Sequence, residues 1–358
     1  ALMSPASTEQ FLLEQYAGHP ASQLQDLRKA LYQSVFGCEH LITDTSAAAE
    51  GIRREAAEAG PCSREIEALD GPWSRVQLGV LADGLTPETL ACIFARSAAM
   101  PHGDADALQE KLTVLRRLIH SGALPYSPAE ANAELDDWQK NGFLSCHHSD
   151  EYRATYRPAY RVLHRTYVRL LPLLAAIDRA LAENPRVLLA IEGGAASGKS
   201  TLADLLTAIY PDTALFHADD FFLRPEQRTA ARYAQPGGNL DRERLESEIL
   251  APISRNEVAI YRPFDCHTLS LREPVTIPPG RLNIVEGSYS FHPELARYYD
   301  LSVFLDISPE TQRSRILERN GPEWGQQFFD RWIPLEQTYF HETDTQGRCT
   351  LALKEEIR

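Results

Sequence analysis

In the first 150 residues, apolar side chains recur every three or four positions, which is typical of amphipathic helices. Ser22-Gln23-Leu24-Gln25 and Ser127-Pro128-Ala129-Glu130 have the pattern of capping boxes, and Thr86-Pro87 places a capping residue before a proline. The clearest apolar stripe consists of Leu108, Leu112, Leu115 and Ile119. No strand pattern competes strongly in this part, so the pattern predicts a mostly helical domain over residues 1–150.

The next segment, Asp150–Glu183, is predicted to form one long helix, or two helices broken near Pro172. Pro158 also interrupts it, which leaves a start after Arg157 as an alternative. Asn184-Pro185 ends the helical pattern. We therefore predict three parts, a helical domain, a connecting helix and a second domain, over residues 1–150, 151–183 and 184–358.

Arginines recur every four residues in the connecting segment, interleaved with tyrosines. They are Arg153, Arg157, Arg161, Arg165 and Arg169. On a helix they would form a basic ridge, either a solvated face paired with acidic neighbours or a ligand site between domains. The solvated face is the favoured interpretation, because the whole chain is acidic.

After Pro185, short apolar segments alternate with amphipathic ones. Strands are predicted over residues 186–191, 214–217, 282–285 and 301–305, and helices from residue 199 and over residues 241–250 and 309–319. Alternation of this kind favours an α/β domain, with a parallel sheet and helices on both of its faces.

The strongest chemical signal is the segment Gly193–Ser200, which fits Gly-x-x-x-x-Gly-Lys-Ser between a buried strand and a helix. In such a loop the backbone N–H groups bind phosphate oxygens, the lysine reaches the β- and γ-phosphates, and the serine holds Mg²⁺. The predicted nucleotide-binding residues are Gly193, Gly194, Ala195, Ala196, Ser197, Gly198, Lys199, Ser200 and Thr201. ATP and Mg²⁺ are the predicted cofactors.

Two acidic segments follow later strands. Asp219 and Asp220 come directly after the second strand, where a carboxylate can take a proton from an attacking hydroxyl. Glu286 ends the third strand. A turn or cap for the aspartates, and a structural carboxylate for Glu286, are the alternative interpretations.

With these segments, residues 184–358 resemble the uridine kinase and phosphoribulokinase branch of P-loop kinases. The resemblance is carried by the phosphate loop, Asp219-Asp220-Phe221-Phe222 and Ile284-Val285-Glu286-Gly287. It implies a P-loop kinase domain in which Asp219 is the catalytic base and Lys199 is also catalytic. Asp220 lies behind the base or near the metal and is counted among the substrate-binding residues, and Glu286 holds Mg²⁺ with Ser200.

The same resemblance implies further site residues. Asp241, after Gly237-Gly238-Asn239, would hold ribose hydroxyls, with a helix cap as the alternative role. Arg315 and Arg319, on the helix before Asn320, would close over the phosphates as catalytic arginines. Tyr261 and His267 are the nearest match to the segment that reads the base in uridine kinases, but their spacing differs and the arginine of that segment is absent.

Composition narrows the classes of function. The chain has 358 residues and a net charge of −14, which argues against a broad nucleic-acid interface. Its longest apolar runs fall far short of the ~20 residues of a spanning helix, so no membrane partner is expected. Its six cysteines, at 38, 62, 92, 146, 266 and 349, form no Cys-x-x-Cys pair, which favours reduced thiols in a cytoplasmic protein.

Together these features predict an ATP-dependent kinase that phosphorylates a small-molecule hydroxyl, most directly the 5′-hydroxyl of a nucleoside. Two alternatives stay open. One is another small acceptor, such as a sugar, a vitamin or a nicotinamide riboside-like molecule. The other is a nucleotide-regulated switch that controls the N-terminal domain. The state of assembly also stays open, with a homo-oligomer as one outcome.

Overall fold

The computed structural model describes residues 7–38, 42–60 and 63–354. The chain divides into two compact units, Ala1–Ala175 and Ala176–Arg358. The division lies 25 residues beyond the end of the predicted helical domain (175 − 150). In the part of the chain that the structure describes, no helix combines the length and apolar character needed to cross a bilayer.

The first unit is mostly helical, as the periodicity predicts. Its helices are α1 (Thr8–Gly18), α2 (Leu24–Phe36), α3 (Thr45–Ala59), α4 (Pro87–Ala98), α5 (Ala105–His120), α6 (Pro128–Lys140), α7 (Asp150–Tyr156) and α8 (Arg165–Val168), and α9 (Leu171–Glu183) contains the division between the units. A short 3₁₀ turn covers Leu78–Asp83. The predicted stripe on α5 is buried against α1, α2 and α6, which form one core.

Two helix starts differ from the predicted capping boxes. The cap of α2 is Gln23, whose backbone N–H donates to Asp26, so the box lies one residue later than predicted. Ser127 does cap α6 by position, but its side chain makes no capping hydrogen bond. Thr86 caps α4 as predicted, with Pro87 at the first helical position.

The connecting segment is where the prediction of one helix is wrong. Residues 150–183 form α7, a strand, α8 and α9, and the strand β3 (Tyr160–His164) pairs antiparallel with β2 (Trp73–Gln77), which also pairs with β1 (Ile66–Ala68). The five arginines therefore lie on different elements and form no continuous ridge. Arg153, which is exposed, pairs with Asp150, and Arg161, which is only 16% exposed, pairs with Glu55, so the arginines do not share one solvated face.

A buried polar network ties β2 and β3 to the helices. Arg75 on β2 is 2% exposed, and its guanidinium donates to Gln33, at 2.8 Å, and to Glu67, at 3.3 Å. A second branch joins Asp26 Oδ1 to His148 Nδ1 at 2.8 Å, and His148 Nε2 lies 2.6 Å from the hydroxyl of Tyr160 on β3.

The second unit is built on five parallel strands: β4 (Val187–Gly193), β5 (Thr213–His217), β10 (Leu282–Glu286), β11 (Leu301–Asp306) and β12 (Leu351–Lys354). Their order in the sheet is β12-β11-β4-β10-β5. Four short strands form two antiparallel pairs, β6 (Ala259–Tyr261) with β9 (Val275–Ile277) and β7 (Phe264–Asp265) with β8 (Ser270–Leu271). The four predicted strands are thus present, while β12 and the two short pairs were not predicted.

The helices of the second unit are α10 (Lys199–Ile209), α11 (Ala230–Tyr233), α12 (Arg242–Leu245), α13 (Ala251–Ser254), α14 (Pro309–Gln327), α15 (Ile333–Glu342) and α16 (Thr345–Arg348). A wider turn over Glu246–Leu250 joins α12 to α13, and a similar turn over Phe328–Trp332 joins α14 to α15. Gly321, with φ of 72°, breaks α14 near the predicted end of that helix.

The register of the sheet places the predicted site residues at one edge. Glu286, the last residue of β10, is level with Ile191 on β4 and with His217 on β5. Because parallel strands end at the same edge, the segments that follow β4, β5 and β10 start side by side there.

Candidate phosphate-binding and catalytic site

The phosphate loop connects β4 to α10, as the motif requires. Gly193 has φ of 148°, and a Cβ there would lie 2.7 Å from the carbonyl oxygen of Leu305, so only glycine fits. Ser197 N–H donates to Gly194 O at 3.2 Å and closes the turn. Gly198, with φ of 96°, precedes the first residue of α10, whose N-terminal N–H groups have no partner within the helix. The loop therefore offers backbone donors to an anion at a helix N-terminus.

Lys199 lies against the loop that it follows. Its Nζ donates to the carbonyl oxygens of Gly193 and Gly194, both at 2.9 Å, and lies 3.4 Å from the hydroxyl of Ser288. A lysine in this place can reach phosphate oxygens held by the loop after exchanging these carbonyl contacts.

Ser200 and Glu286, the two predicted ligands of Mg²⁺, lie together. The Ser200 hydroxyl is 3.3 Å from each carboxylate oxygen of Glu286. Hydroxyl and carboxylate oxygens suit Mg²⁺, which takes its remaining ligands from phosphate and water. Within the described ranges, no group of three or more His, Cys, Asp or Glu side chains is placed to hold a metal ion, so these two residues would hold Mg²⁺ only together with such outside ligands.

His217 is a site residue that the sequence reasoning missed. Its Nδ1 lies 2.6 Å from Oε1 of Glu286, and this hydrogen bond raises the pKa of His217 against the opposing effect of burial. The sequence places each residue at the end of a predicted strand, but only the register of the sheet makes the two ends level. His217 thus orients the carboxylate that Ser200 also contacts.

The two aspartates after β5 separate in space. Asp219 is exposed to solvent, and partial desolvation by the surrounding protein raises its pKa, with Lys199 opposing that shift and Glu286 adding to it. Asp220 instead accepts from the Tyr261 hydroxyl at 3.3 Å and from Arg272 at 3.4 Å. Asp219 is thus the aspartate on which the charges of Lys199 and Glu286 act, while Asp220 is bound by Tyr261 and Arg272.

The predicted acceptor residues are not gathered into one group. Asp241 is 1% exposed, and its oxygens accept from Gln227 Nε2 at 2.9 Å and from the N–H of Arg244 at 3.4 Å, the second bond being the cap of α12. Tyr261 is buried. His267 is exposed in the turn between β7 and β8, where its N–H donates to Asp265. The capping role of Asp241 is present, and its ribose-binding role stays a prediction.

The predicted catalytic arginines lie on α14. Arg315 donates to the carbonyl oxygen of Ala196 at 3.1 Å, which brings it to the phosphate loop. Arg319 donates to Asn320 at 2.9 Å and its guanidinium lies over the ring of Phe328. Of the two, Arg315 is the one that contacts the loop in this structure.

Glu192, directly before the loop, was also missed. It is fully buried and accepts from the N–H groups of Gly193, Tyr289 and Phe291 at 2.9–3.0 Å, and from the Tyr339 hydroxyl at 3.1 Å. Burial raises the pKa of Glu192 to about 7, although its backbone hydrogen bonds oppose the shift. Tyr289 has φ of 74°, so this carboxylate holds a left-handed turn beside the phosphate loop.

The parallel sheet, the Gly193–Ser200 loop and the strand-end carboxylates define the second unit as an α/β unit with a P-loop. The chain matches no family model, and no curated protein is detectably similar to it in sequence.

Solved structures with a similar fold include a possible uridine kinase from Bacillus stearothermophilus, 19% identical with a TM-score of 0.38; the match covers 51% of this chain and 98% of that one. Another is a candidate fructose transport system kinase from Silicibacter sp. TM1040, 20% identical with a TM-score of 0.39, covering 47% and 89% of the two chains. Likeness at this level identifies no activity for this chain.

Proposed function

We propose that the second unit transfers a phosphoryl group from ATP to a hydroxyl of a small molecule. The observation that carries the proposal is the position of Asp219, at the edge of the sheet where the phosphate loop begins, within electrostatic range of both Lys199 and Glu286. A carboxylate at that place can take the proton of an acceptor hydroxyl, a role that binding of nucleotide alone does not require.

The chain's residues divide the work of such a transfer. The loop N–H groups and Lys199 bind the phosphate oxygens and stabilise the charge that spreads over the transferred group. Ser200 and Glu286 would hold Mg²⁺, which when bound neutralises negative charge on the phosphates. Asp219 accepts the proton of the acceptor hydroxyl. The hydroxyl oxygen forms its bond to the γ-phosphorus while the bond from that phosphorus to ADP breaks.

The narrower proposal is that the acceptor hydroxyl is the 5′-OH of a nucleoside. Its support is the resemblance of Asp219-Asp220-Phe221-Phe222 to uridine kinases. The buried carboxylate of Asp241, which accepts from Gln227 and from the N–H of Arg244, gives it no further support, so the acceptor has to be identified by assay.

The test compares Asp219→Asn with Asp220→Asn under equal ATP saturation, over a panel of nucleosides, sugars and vitamins. Asparagine keeps the shape of aspartate but cannot take the proton. We expect Asp219→Asn to lower phosphate transfer by roughly 10²–10⁴-fold with little change in ATP affinity, since that is the usual effect of losing a general base. Asp220→Asn should be milder.

Two outcomes would contradict the assignment. If Asp220→Asn loses phosphate transfer while Asp219→Asn keeps it, the roles of the two aspartates are reversed. ATP binding by the wild-type chain without transfer to any acceptor of the panel would favour a nucleotide-regulated switch.

A further inference from the structure

A carboxylate from the C-terminal part of the second unit lies on the phosphate loop. Glu336 on α15 accepts from the N–H of Ala195 at 2.9 Å through Oε2, and from the hydroxyl of Ser288 at 2.7 Å through Oε1. The side chain is buried, with 6% of its surface exposed. Both neighbours donate to it, so it is bound as an acceptor, in the way that an anion is bound by such a loop.

The neighbouring groups of the loop are also paired within the protein. The carbonyl of Ala195 accepts from Gln312 at 2.9 Å and that of Ala196 from Arg315 at 3.1 Å, both on α14. Lys199 donates to loop carbonyls rather than outward. In this arrangement the loop is bonded to an anion, Glu336, and to cations, Lys199 and Arg315, of the protein itself.

Glu336 lies where the γ-phosphate of a bound ATP, the group that would be transferred, is expected. The Ser288 hydroxyl joins Glu336 to Lys199, since that hydroxyl donates to the Glu336 carboxylate at 2.7 Å and lies 3.4 Å from Lys199 Nζ. Burial raises the pKa of Glu336 and the charge of Asp219 adds to this, while Lys199 and the two hydrogen bonds oppose the shift. Lys199 is the residue expected at the β- and γ-phosphates, and Asp219 is the proposed base. A γ-phosphate placed between them would come close to the Glu336 carboxylate.

We propose that Glu336 takes the place of a phosphate oxygen at Ala195 N–H and must give up that contact when a triphosphate binds. The inference rests on the proposed function, because it assumes that the loop binds ATP. Two like charges cannot share one amide donor, and their repulsion in a partly desolvated site is costly. Glu336 therefore lowers the affinity for ATP and makes the position of α15 depend on the γ-phosphate.

The direct test is Glu336→Gln in the full-length chain, with the dissociation constants of ATP and ADP measured by calorimetry. Glutamine can still accept from Ala195 but carries no charge. We expect ATP to bind more tightly by on the order of tenfold, the change that about 1.4 kcal/mol of relieved repulsion produces. ADP, which lacks the γ-phosphate, should gain clearly less.

Two further variants complete the design. Glu342→Gln, at the exposed end of the same helix, makes the same change in net charge and should leave both dissociation constants unaltered. Glu336→Ala removes the hydrogen bonds as well and should also bind ATP more tightly, provided that its thermal unfolding midpoint confirms a folded chain.

The outcomes separate this inference from the proposed function. If both Glu336 variants bind ATP and ADP more weakly than wild type to the same extent, Glu336 only supports the loop and the inference is overturned. Tighter ATP binding by Glu336→Gln without transfer to any acceptor would keep the inference and overturn the kinase. If the wild-type chain transfers phosphate to an acceptor and Glu336→Gln has an unchanged affinity for ATP, the kinase is kept and the inference is overturned.

Discussion

Acidification is expected to destabilise the first unit, and His148 is one residue through which it acts. This side chain is 7% exposed and stacks on Tyr152. Burial lowers the pKa of His148 to about 4; its hydrogen bond to Asp26 opposes that shift, while the charges of Arg75 and Lys29 add to it. The imidazole is therefore neutral in the folded unit at pH values where it would be protonated in the unfolded chain.

The sign and size of the effect follow from this pKa. An unfolded histidine titrates near 6.5, so between pH 6.5 and 4 the unfolded chain binds more protons than the folded one. The contribution of His148 to the free energy of unfolding is fully present above pH 6.5. It is lost as the pH drops toward 4, by about 3 kcal/mol in total. Hydrogen bonds from His148 and Ser149 outweigh burial and hold the pKa of Asp26 below its usual value, so that carboxylate titrates below this window.

The assay is urea unfolding between pH 7 and 4, followed by tryptophan fluorescence. Replacing Trp324 and Trp332 by phenylalanine leaves Trp73 and Trp138, both buried in the first unit, as reporters. The matched variant is His148→Asn, whose amide can still donate to Asp26 but does not titrate.

The wild-type chain should lose about 3 kcal/mol more than His148→Asn over this range, and the exposed His102→Asn should behave like wild type. If the wild type and His148→Asn lose stability in parallel, the imidazole is not kept neutral by burial and the reasoning is wrong.

Three other predictions concern the loop, a turn and the sheet. Lys199→Ala should lower phosphate transfer by orders of magnitude while circular dichroism stays unchanged; near-wild-type turnover at saturating ATP and Mg²⁺ would show that the loop is not catalytic. Gly37→Ala places a Cβ 2.6 Å from the ring of Trp73 at φ of 67°, so urea unfolding should show a larger loss than for Gly142→Ala, which has φ of 74° but open space. Ile284→Ala, fully buried on β10, should cost about 2–5 kcal/mol; a loss below 1 kcal/mol would contradict the assigned core.

The phosphate loop could be predicted from the sequence because its chemistry is local. The motif, its strand and its helix lie within about twenty consecutive residues, so the pattern is complete in one stretch, although the structure adds distant neighbours such as Leu305 beside Gly193 and Ser288 beside Lys199. The four sheet strands were predicted for a similar reason, because each is a short apolar segment of the chain. β4, which is buried along its whole length, is the clearest case.

Features that depend on partners far away in the sequence could be seen only in the tertiary structure. β3 was predicted as helix because Tyr160–His164 becomes a strand only by pairing with β2, nearly ninety residues earlier. Glu192 and Glu336 give no motif, since their donors lie about 100 and 140 residues away along the chain. A carboxylate near a phosphate loop acquires its role from the groups that fold against it, and that proximity is set by packing rather than by spacing in the sequence.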